Sequence, residues 1–124
     1  MKMQVVKKDS KYYGKLPDTG WIELPISTAD FENWSWEKLS YRKIGNVVYL
    51  HGGGKLSNLQ GDKIIGNLPN GFKPKQNAVF VCARNNSAEI CSCYINYDGS
   101  LRFIARTGSA TTIEFFVNTC FVAR

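Results

Sequence analysis

Alternating apolar and polar positions run through most of this sequence after residue 15. Short stretches rich in Val, Ile, Tyr and Phe are separated by Gly, Asn, Asp and Pro, which is the pattern of β-strands joined by turns. The predicted strands are Trp21–Pro25, Leu39–Ile44, Val47–Gly52, Lys63–Leu68, Ala78–Ala83, Glu89–Asn96, Leu101–Ala105 and Thr112–Val122. About eight strands at this spacing predict an all-β fold with little helix, a jelly-roll-like antiparallel β-sandwich.

Turn signals separate several of these strands. Gly45-Asn46 suits a tight hairpin, and Asp98-Gly99 predicts another turn, in which Asp98 serves as a turn residue. The prolines of LPNGFKP stop strand pairing around Asn70-Gly71. The last predicted strand is apolar on both faces, which indicates a central strand or a subunit contact.

The segment Ser27–Ser40 is the only window compatible with a helix, because it begins with Ser and Thr and continues with acidic residues. Trp34 and Trp36 stand two positions apart, which favours an extended chain instead. The segment is therefore either a helix or an ordered loop with a single helical turn.

The domain begins after a polar stretch that lacks a sustained period. Residues 1–15 are predicted to be a linker or an N-terminal extension, and residues 16–124 a single β-sandwich domain. The string LPDTG at Leu16–Gly20 matches a sortase signal. Such a signal precedes a membrane-spanning run of about 18 apolar residues, and no such run follows here. We interpret the string as a turn into the first strand, and the protein is not predicted to be sortase-anchored.

The chain carries 16 Lys and Arg against 10 Asp and Glu, a net charge of +6. This charge favours anionic partners such as nucleic acid, phosphate-rich polymers or acidic glycans. The positive residues are dispersed rather than concentrated with aromatic residues, so no nucleic-acid partner is predicted. The first ten residues lack the apolar core of a signal peptide, and no membrane partner is predicted.

The four cysteines are Cys82, Cys91, Cys93 and Cys120. Cys91 and Cys93 lie on one predicted strand about 7 Å apart, so a bond between them requires distortion. Cys82 and the CxC pair with His51 resemble part of a zinc site, but no second CxxC or HxxxH pattern accompanies them. We interpret the cysteines as buried thiols and predict neither a metal nor a cofactor.

The sequence offers little for catalysis. His51 with Gly52–Gly54 resembles the oxyanion loop of lipases, but no GxSxG nucleophile motif follows it. The glycines also lack the GK[ST] of a phosphate-binding loop. We predict no catalytic residue, a structural role for His51, and a glycine run that lets a strand bend, bulge or pass close to a neighbouring chain.

Recognition fits the composition better. Aromatic faces stack on sugar rings and Asn side chains bind hydroxyls, and the chain has three Trp, six Tyr and seven Phe. The segments FENWSW and RNNS combine both residue types in predicted loops. The predicted ligand-binding residues are Trp34, Trp36, Asn85 and Asn86. Alternatively, a tryptophan of the pair plugs one end of the sandwich and the asparagines are turn residues. Trp21 is predicted to lie in the core.

An ordered set of motifs spans most of the chain. DTGW, YRKIGNVVYLHG, IIGNLPNGFKPK and INYDGSLR follow one another between about Asp18 and Arg102. This set resembles the C-terminal receptor-binding (head) domains of phage and prophage tail-fibre and baseplate proteins. The resemblance implies a jelly-roll-like sandwich, often a homotrimer joined to upstream tail-fibre or baseplate segments. It also implies that LPNGFKP connects the two sheets. The segment AVFVCARNNSAEICSCYIN departs from the family pattern.

The resemblance implies a virion protein that is assembled in the bacterial cytoplasm and attaches the phage to a cell-surface glycan or wall polymer. The sequence therefore predicts a non-enzymatic adhesion domain. Two alternatives stay open: a structural trimerisation or tip domain without a ligand, and a glycan-degrading tail enzyme. In the trimer hypothesis the last strand, the glycine run and His51 lie near the threefold axis.

Overall fold

The computed structural model describes residues 16–59, 61–83, 90–105 and 112–124. These residues contain nine strands and no helix, and hence no helix that could cross a membrane. The strands are β1 (Ile22–Glu23), β2 (Phe31–Asn33), β3 (Ser40–Ile44), β4 (Val47–Leu56), β5 (Asp62–Asn67), β6 (Ala78–Ala83), β7 (Ile90–Ile95), β8 (Ser100–Ala105) and β9 (Ile113–Val122).

The first sheet is built around β4. β9 pairs with the whole length of β4 on one side, from Val47 opposite Val122 to Leu56 opposite Ile113. On the other side β3 pairs with the first half of β4, β2 pairs with its last residues, and β1 extends the sheet beyond β3. All of these pairings are antiparallel.

The second sheet has the strand order β5-β8-β7-β6 and is also antiparallel. The consecutive strands β6, β7 and β8 form a meander, and β8 comes to lie beside the earlier strand β5, which is a Greek-key order. The two sheets enclose an apolar core. Its largest fully buried side chains are Phe103, Phe115, Leu39, Leu50, Leu56, Ile65, Leu68, Ile95, Leu101, Ile113, Val48 and Val117. The predicted all-β sandwich is confirmed.

The segment 27–40 is not helical. Phe31–Asn33 forms β2, and the residues around it form turns. The reason is tertiary: β4 continues to Leu56, four residues beyond the prediction, and gives β2 an edge to pair with. Phe31 is buried against Phe115, with ring centroids 5.6 Å apart. Pairing and burial of this kind override a weak helical preference.

Two predictions differ from the structure: the position of the last strand and the connection made by LPNGFKP. β9 pairs only with β4 among the described residues, so β4 and not β9 is the central strand. LPNGFKP joins β5 to β6, which belong to the same sheet, so it does not connect the two sheets. It does cross to the first sheet, where Pro74 forms a bridge with Ala123.

The predicted turns at Gly45-Asn46 and Asp98-Gly99 are confirmed. Gly45 has a φ of 60° between β3 and β4. Asp98 Oδ1 accepts hydrogen bonds from the Ser100 backbone N–H at 2.9 Å and from its hydroxyl at 2.7 Å. These bonds lower the pKa of Asp98 and mark it as a turn residue.

Candidate functional site

The outer face of the first sheet carries an unusual number of aromatic side chains. Strand alternation sends Val48 and Leu50 of β4 into the core and His51 outward, and it buries Phe115 of β9 while exposing Phe116. We use the term aromatic surface for the outward side chains that contact one another here. They are Trp21, Trp34, Trp36, His51 and Phe116.

Gly53 of β4 leaves the space in which part of this surface packs. A Cβ at this position would lie 2.2 Å from the Phe115 carbonyl oxygen and 2.8 Å from the Trp34 ring. The Trp34 N–H donates to the Gly53 carbonyl at 3.1 Å, and the Gly53 N–H donates to the Glu37 carbonyl at 3.0 Å. The missing side chain therefore lets the 34–37 segment lie directly on β4. The neighbouring Gly52 and Gly54 make equally close approaches, so contacts within the chain account for the glycine run.

Trp34 and Trp36 form a stacked pair. Their ring centroids are 4.6 Å apart with an angle of 13° between the planes. Below them, Trp34 stacks on Phe116 with a centroid separation of 6.3 Å. The outermost ring, Trp36, is 68% exposed. Trp34 thus supports Trp36, whose outer indole face is exposed to solvent.

His51 joins this pair to Trp21. Its ring meets the edge of Phe116 at 5.0 Å and lies 5.7 Å from the Trp21 ring. The His51 Nε2–H donates to a Glu37 carboxylate oxygen. The imidazole is therefore held on several sides, which fits the structural role expected from the sequence.

Trp21 is held from its other side by Arg42. The Arg42 guanidinium carbon lies 5.8 Å from the Trp21 ring centroid. The same guanidinium donates to both oxygens of Asp18, at 2.9 and 2.5 Å. These hydrogen bonds, with one from the Gly20 N–H, lower the pKa of Asp18 from 3.8 to about 2. The Asp18–Arg42 pair thereby anchors the wall of the site on which Trp21 sits.

A cleft of about 350 Å³ opens between Trp21 and Trp36. The side chains that line it are Trp21, Glu23, Trp36, Glu37, Lys38, Ser40 and His51. Glu23 and Lys38 form an exposed ion pair at 3.6 Å. The cleft therefore combines two apolar indole walls with carboxylate, ammonium and hydroxyl groups. A small polyol with one apolar face matches this combination, because its CH groups can stack and its hydroxyls can bind the polar groups.

The comparisons with known proteins identify a fold. No protein-family model matches this sequence, and no curated protein matches it. A solved structure is similar: the head domain of phage bIL170, described as a receptor-binding domain of a lactococcal phage. The TM-score is 0.61, with 15% sequence identity over 88% of this chain and 99% of that chain. The chain has the fold of a phage receptor-binding head domain.

Within this head-domain fold, the predicted site residues have different outcomes. The structure brings Trp34 and Trp36 together on the surface, so neither plugs an end of the sandwich. Asn85 and Asn86 lie outside the described residues. The prediction that Trp21 lies in the core is wrong, because its side chain is 51% exposed on the short strand entry before β1.

Three members of the site were not predicted from the sequence: Trp21, Phe116 and Glu37. Phe116 carried a usable signal, since it occupies the solvent-facing phase of a strand whose other face is apolar. An aromatic residue in that phase is a candidate for recognition. Among the described residues, no group of three or more His, Cys, Asp or Glu side chains is suited to holding a metal ion.

The anchor of Trp21 gives a pH prediction. Because its folded-state pKa lies below its unfolded value, Asp18 contributes stability above about pH 4 that is lost as the pH falls through about 2. We expect the wild type to melt at a higher temperature than Asp18→Asn at about pH 5, and the two melting temperatures to converge toward about pH 2. Thermal unfolding by circular dichroism measures this. If the difference in melting temperature between the two proteins does not change with pH, ionised Asp18 adds no stability through its pair with Arg42.

Proposed function

We propose that this domain is the receptor-binding domain of a phage or prophage tail-fibre or baseplate protein, and that it recognises a bacterial cell-surface saccharide without catalysis. The observation that carries the proposal is the exposed Trp36 ring stacked on Trp34 beside the cleft. The head-domain fold supports the same proposal.

Binding would use the two walls of the cleft. A sugar ring would stack its CH face on Trp36 or Trp21 and direct its hydroxyls to Ser40 and Glu37. The net charge of +6 on the whole chain would draw an anionic wall polymer toward the protein at low ionic strength.

The proposed active form is a homotrimer, joined to upstream tail-fibre or baseplate segments and assembled in the bacterial cytoplasm before it becomes part of the virion. The trimeric state is inferred from the family resemblance. The outer face of the second sheet offers surface for such contacts, because Val79, Val81 and Ile64 are all exposed on it. Val79 and Val81 lie two residues apart on the edge strand β6, whereas Ile64 lies on β5 at the opposite edge of the sheet.

Replacing Trp36 by Ala tests the binding site. We expect about a tenfold weaker affinity, because one stacking contact of about 1.4 kcal/mol is removed. The ring is mostly exposed, so stability should change by less than about 1 kcal/mol. The measurement is a tryptophan-fluorescence titration of cell-wall polysaccharides from a panel of Gram-positive bacteria, with light scattering on the same sample. A trimer should weigh about 42 kDa, three times the 14.0 kDa of one chain.

Tyr97→Ala provides the matched control. Tyr97 is half exposed like Trp21 but lies in the β7–β8 turn against Arg124, outside the aromatic surface. Its removal should leave binding unchanged. If Trp36→Ala and Tyr97→Ala change the saccharide affinity equally, the cleft is not the binding site. A monomeric mass would contradict the proposed trimer.

A structural role without a ligand is the second candidate, and the exposed valines of β6 favour it. It predicts a verified trimer that binds neither wall polysaccharide nor intact cells. Incubation of the protein with purified cell walls tests the enzyme hypothesis, because release of reducing sugar would contradict a non-catalytic domain.

A further inference from the structure

The β6–β7 hairpin places two thiols against each other inside the core. Cys82 and Cys91 are direct partners in the antiparallel register. Both side chains point inward, with exposed fractions of 3% and 0%, and a hydrogen bond links the two thiols. All four cysteines of the chain are present as thiols in the structure.

Strand geometry singles out this pair. Directly opposed residues of an antiparallel ladder have Cα atoms about 4.5–5.5 Å apart, which lies within the range that a disulfide spans. Cys93 is also buried, but it stands two residues further along β7 and pairs with Phe80. Its Cα is about 7 Å from that of Cys91, which is too far. Cys120 lies on β9 opposite Tyr49 of the first sheet and is exposed, so the prediction of buried thiols is wrong for this cysteine.

We propose that Cys82 and Cys91 form a site of oxidative cross-linking, in which a small disulfide such as oxidised glutathione converts the two thiols into a cross-strand disulfide. Cys82 attacks one glutathione sulfur, a mixed disulfide forms, and one reduced glutathione leaves. The Cys91 sulfur then attacks the Cys82 sulfur and displaces the second glutathione. The two thiol protons end on the two glutathione molecules, and the two electrons reduce the glutathione disulfide.

Opening of the sheet edge sets the rate of this reaction. The hydrogen bond with Cys91, together with burial, holds the pKa of Cys82 well above its usual range, so little of the reactive thiolate forms while the core is closed. β6 is an edge strand among the described residues, and Cys82 is the penultimate residue of that strand. Local fraying of β6 therefore exposes Cys82 first, which makes it the attacking thiol.

The cross-link would fix the edge of the second sheet. A disulfide across this hairpin restricts the unfolded chain and resists fraying of β6. The pair lies in the second sheet and the aromatic surface lies on the first, so the cross-link does not depend on saccharide binding. A domain made in a reducing compartment and later exposed to an oxidising one would acquire it without an enzyme.

The test uses the reduced full chain incubated with oxidised glutathione at increasing temperature below the melting transition. We expect the intact mass to fall by two hydrogen atoms, peptide mapping to join Cys82 to Cys91, and the melting temperature to rise by about 5–10 °C. The reaction should accelerate with temperature as the edge opens.

Two alanine variants provide the controls. Cys82→Ala should abolish the cross-link, while Cys93→Ala removes an equally buried thiol from the same hairpin and should retain it. The mapping of the wild type does not depend on either variant folding. The proposal is overturned if the wild type keeps its reduced mass throughout, or if the bond formed joins Cys91 to Cys93 or two chains through Cys120.

Discussion

Replacing Gly53 by Ala is expected to destabilise the domain by about 3 kcal/mol, the upper end of the range for forcing extra volume into a packed site. The added Cβ would lie 2.2 Å from the Phe115 carbonyl oxygen, which is a backbone atom of the paired strand β9 and not the end of a flexible side chain. It would also lie 2.8 Å from the Trp34 ring. The substitution therefore disturbs both the pairing of β4 with β9 and the packing of Trp34 on β4.

Urea unfolding gives the free energy, and tryptophan fluorescence of the folded state gives the position of the Trp34 ring. Gly61→Ala is the control, because nothing lies within 4 Å of its Cβ and only its φ of 81° is penalised, by about 1 kcal/mol. If Gly53→Ala lowers the free energy of unfolding no more than Gly61→Ala and leaves the fluorescence unchanged, the packing of Trp34 does not depend on Gly53.

Local patterns predicted most of the strands, because alternation and turn residues act over a few positions. The β3–β4 hairpin at Gly45-Asn46 and the Asp98 turn illustrate this, since each depends on residues adjacent in sequence. β2 was missed because its pairing depends on the far end of β4 and its burial on Phe115. Neither partner is visible from the composition of residues 27–40.

The site was harder to predict than the fold, because it is assembled from four separate parts of the chain. Trp34 and Trp36 were identified from their residue type and their place in a predicted loop. Trp21 was predicted to lie in the core, whereas the two-residue β1 lies at the sheet edge and leaves the side chain outside. Phe116 joins the surface only because β9 lies beside β4 in a register that places it opposite Gly53.

The neighbouring residues Phe115 and Phe116 are expected to differ sharply when each is replaced by Ala. Phe115 is fully buried, with its ring 4.2 Å from that of Phe103 and 5.6 Å from that of Phe31. Phe115→Ala should lower the free energy of unfolding by about 4 kcal/mol, because it removes a large side chain and leaves a cavity. Phe116 is 38% exposed and supports Trp34 and His51 from below. Phe116→Ala should cost about 1 kcal/mol in stability and should weaken saccharide binding.

The pair of substitutions separates the core from the site within a single strand, since the two residues differ only in the face of β9 that they occupy. Urea unfolding measures the first effect, and the polysaccharide titration measures the second. If Phe116→Ala destabilises the fold as strongly as Phe115→Ala, the aromatic surface is an extension of the core. The exposed stack of Trp34 and Trp36 would then have a structural explanation, and the proposal that it binds a saccharide would lose its support. If Phe116→Ala weakens binding in a stable fold, the head-domain scaffold and its aromatic surface are separable, as the alternation of β9 predicts.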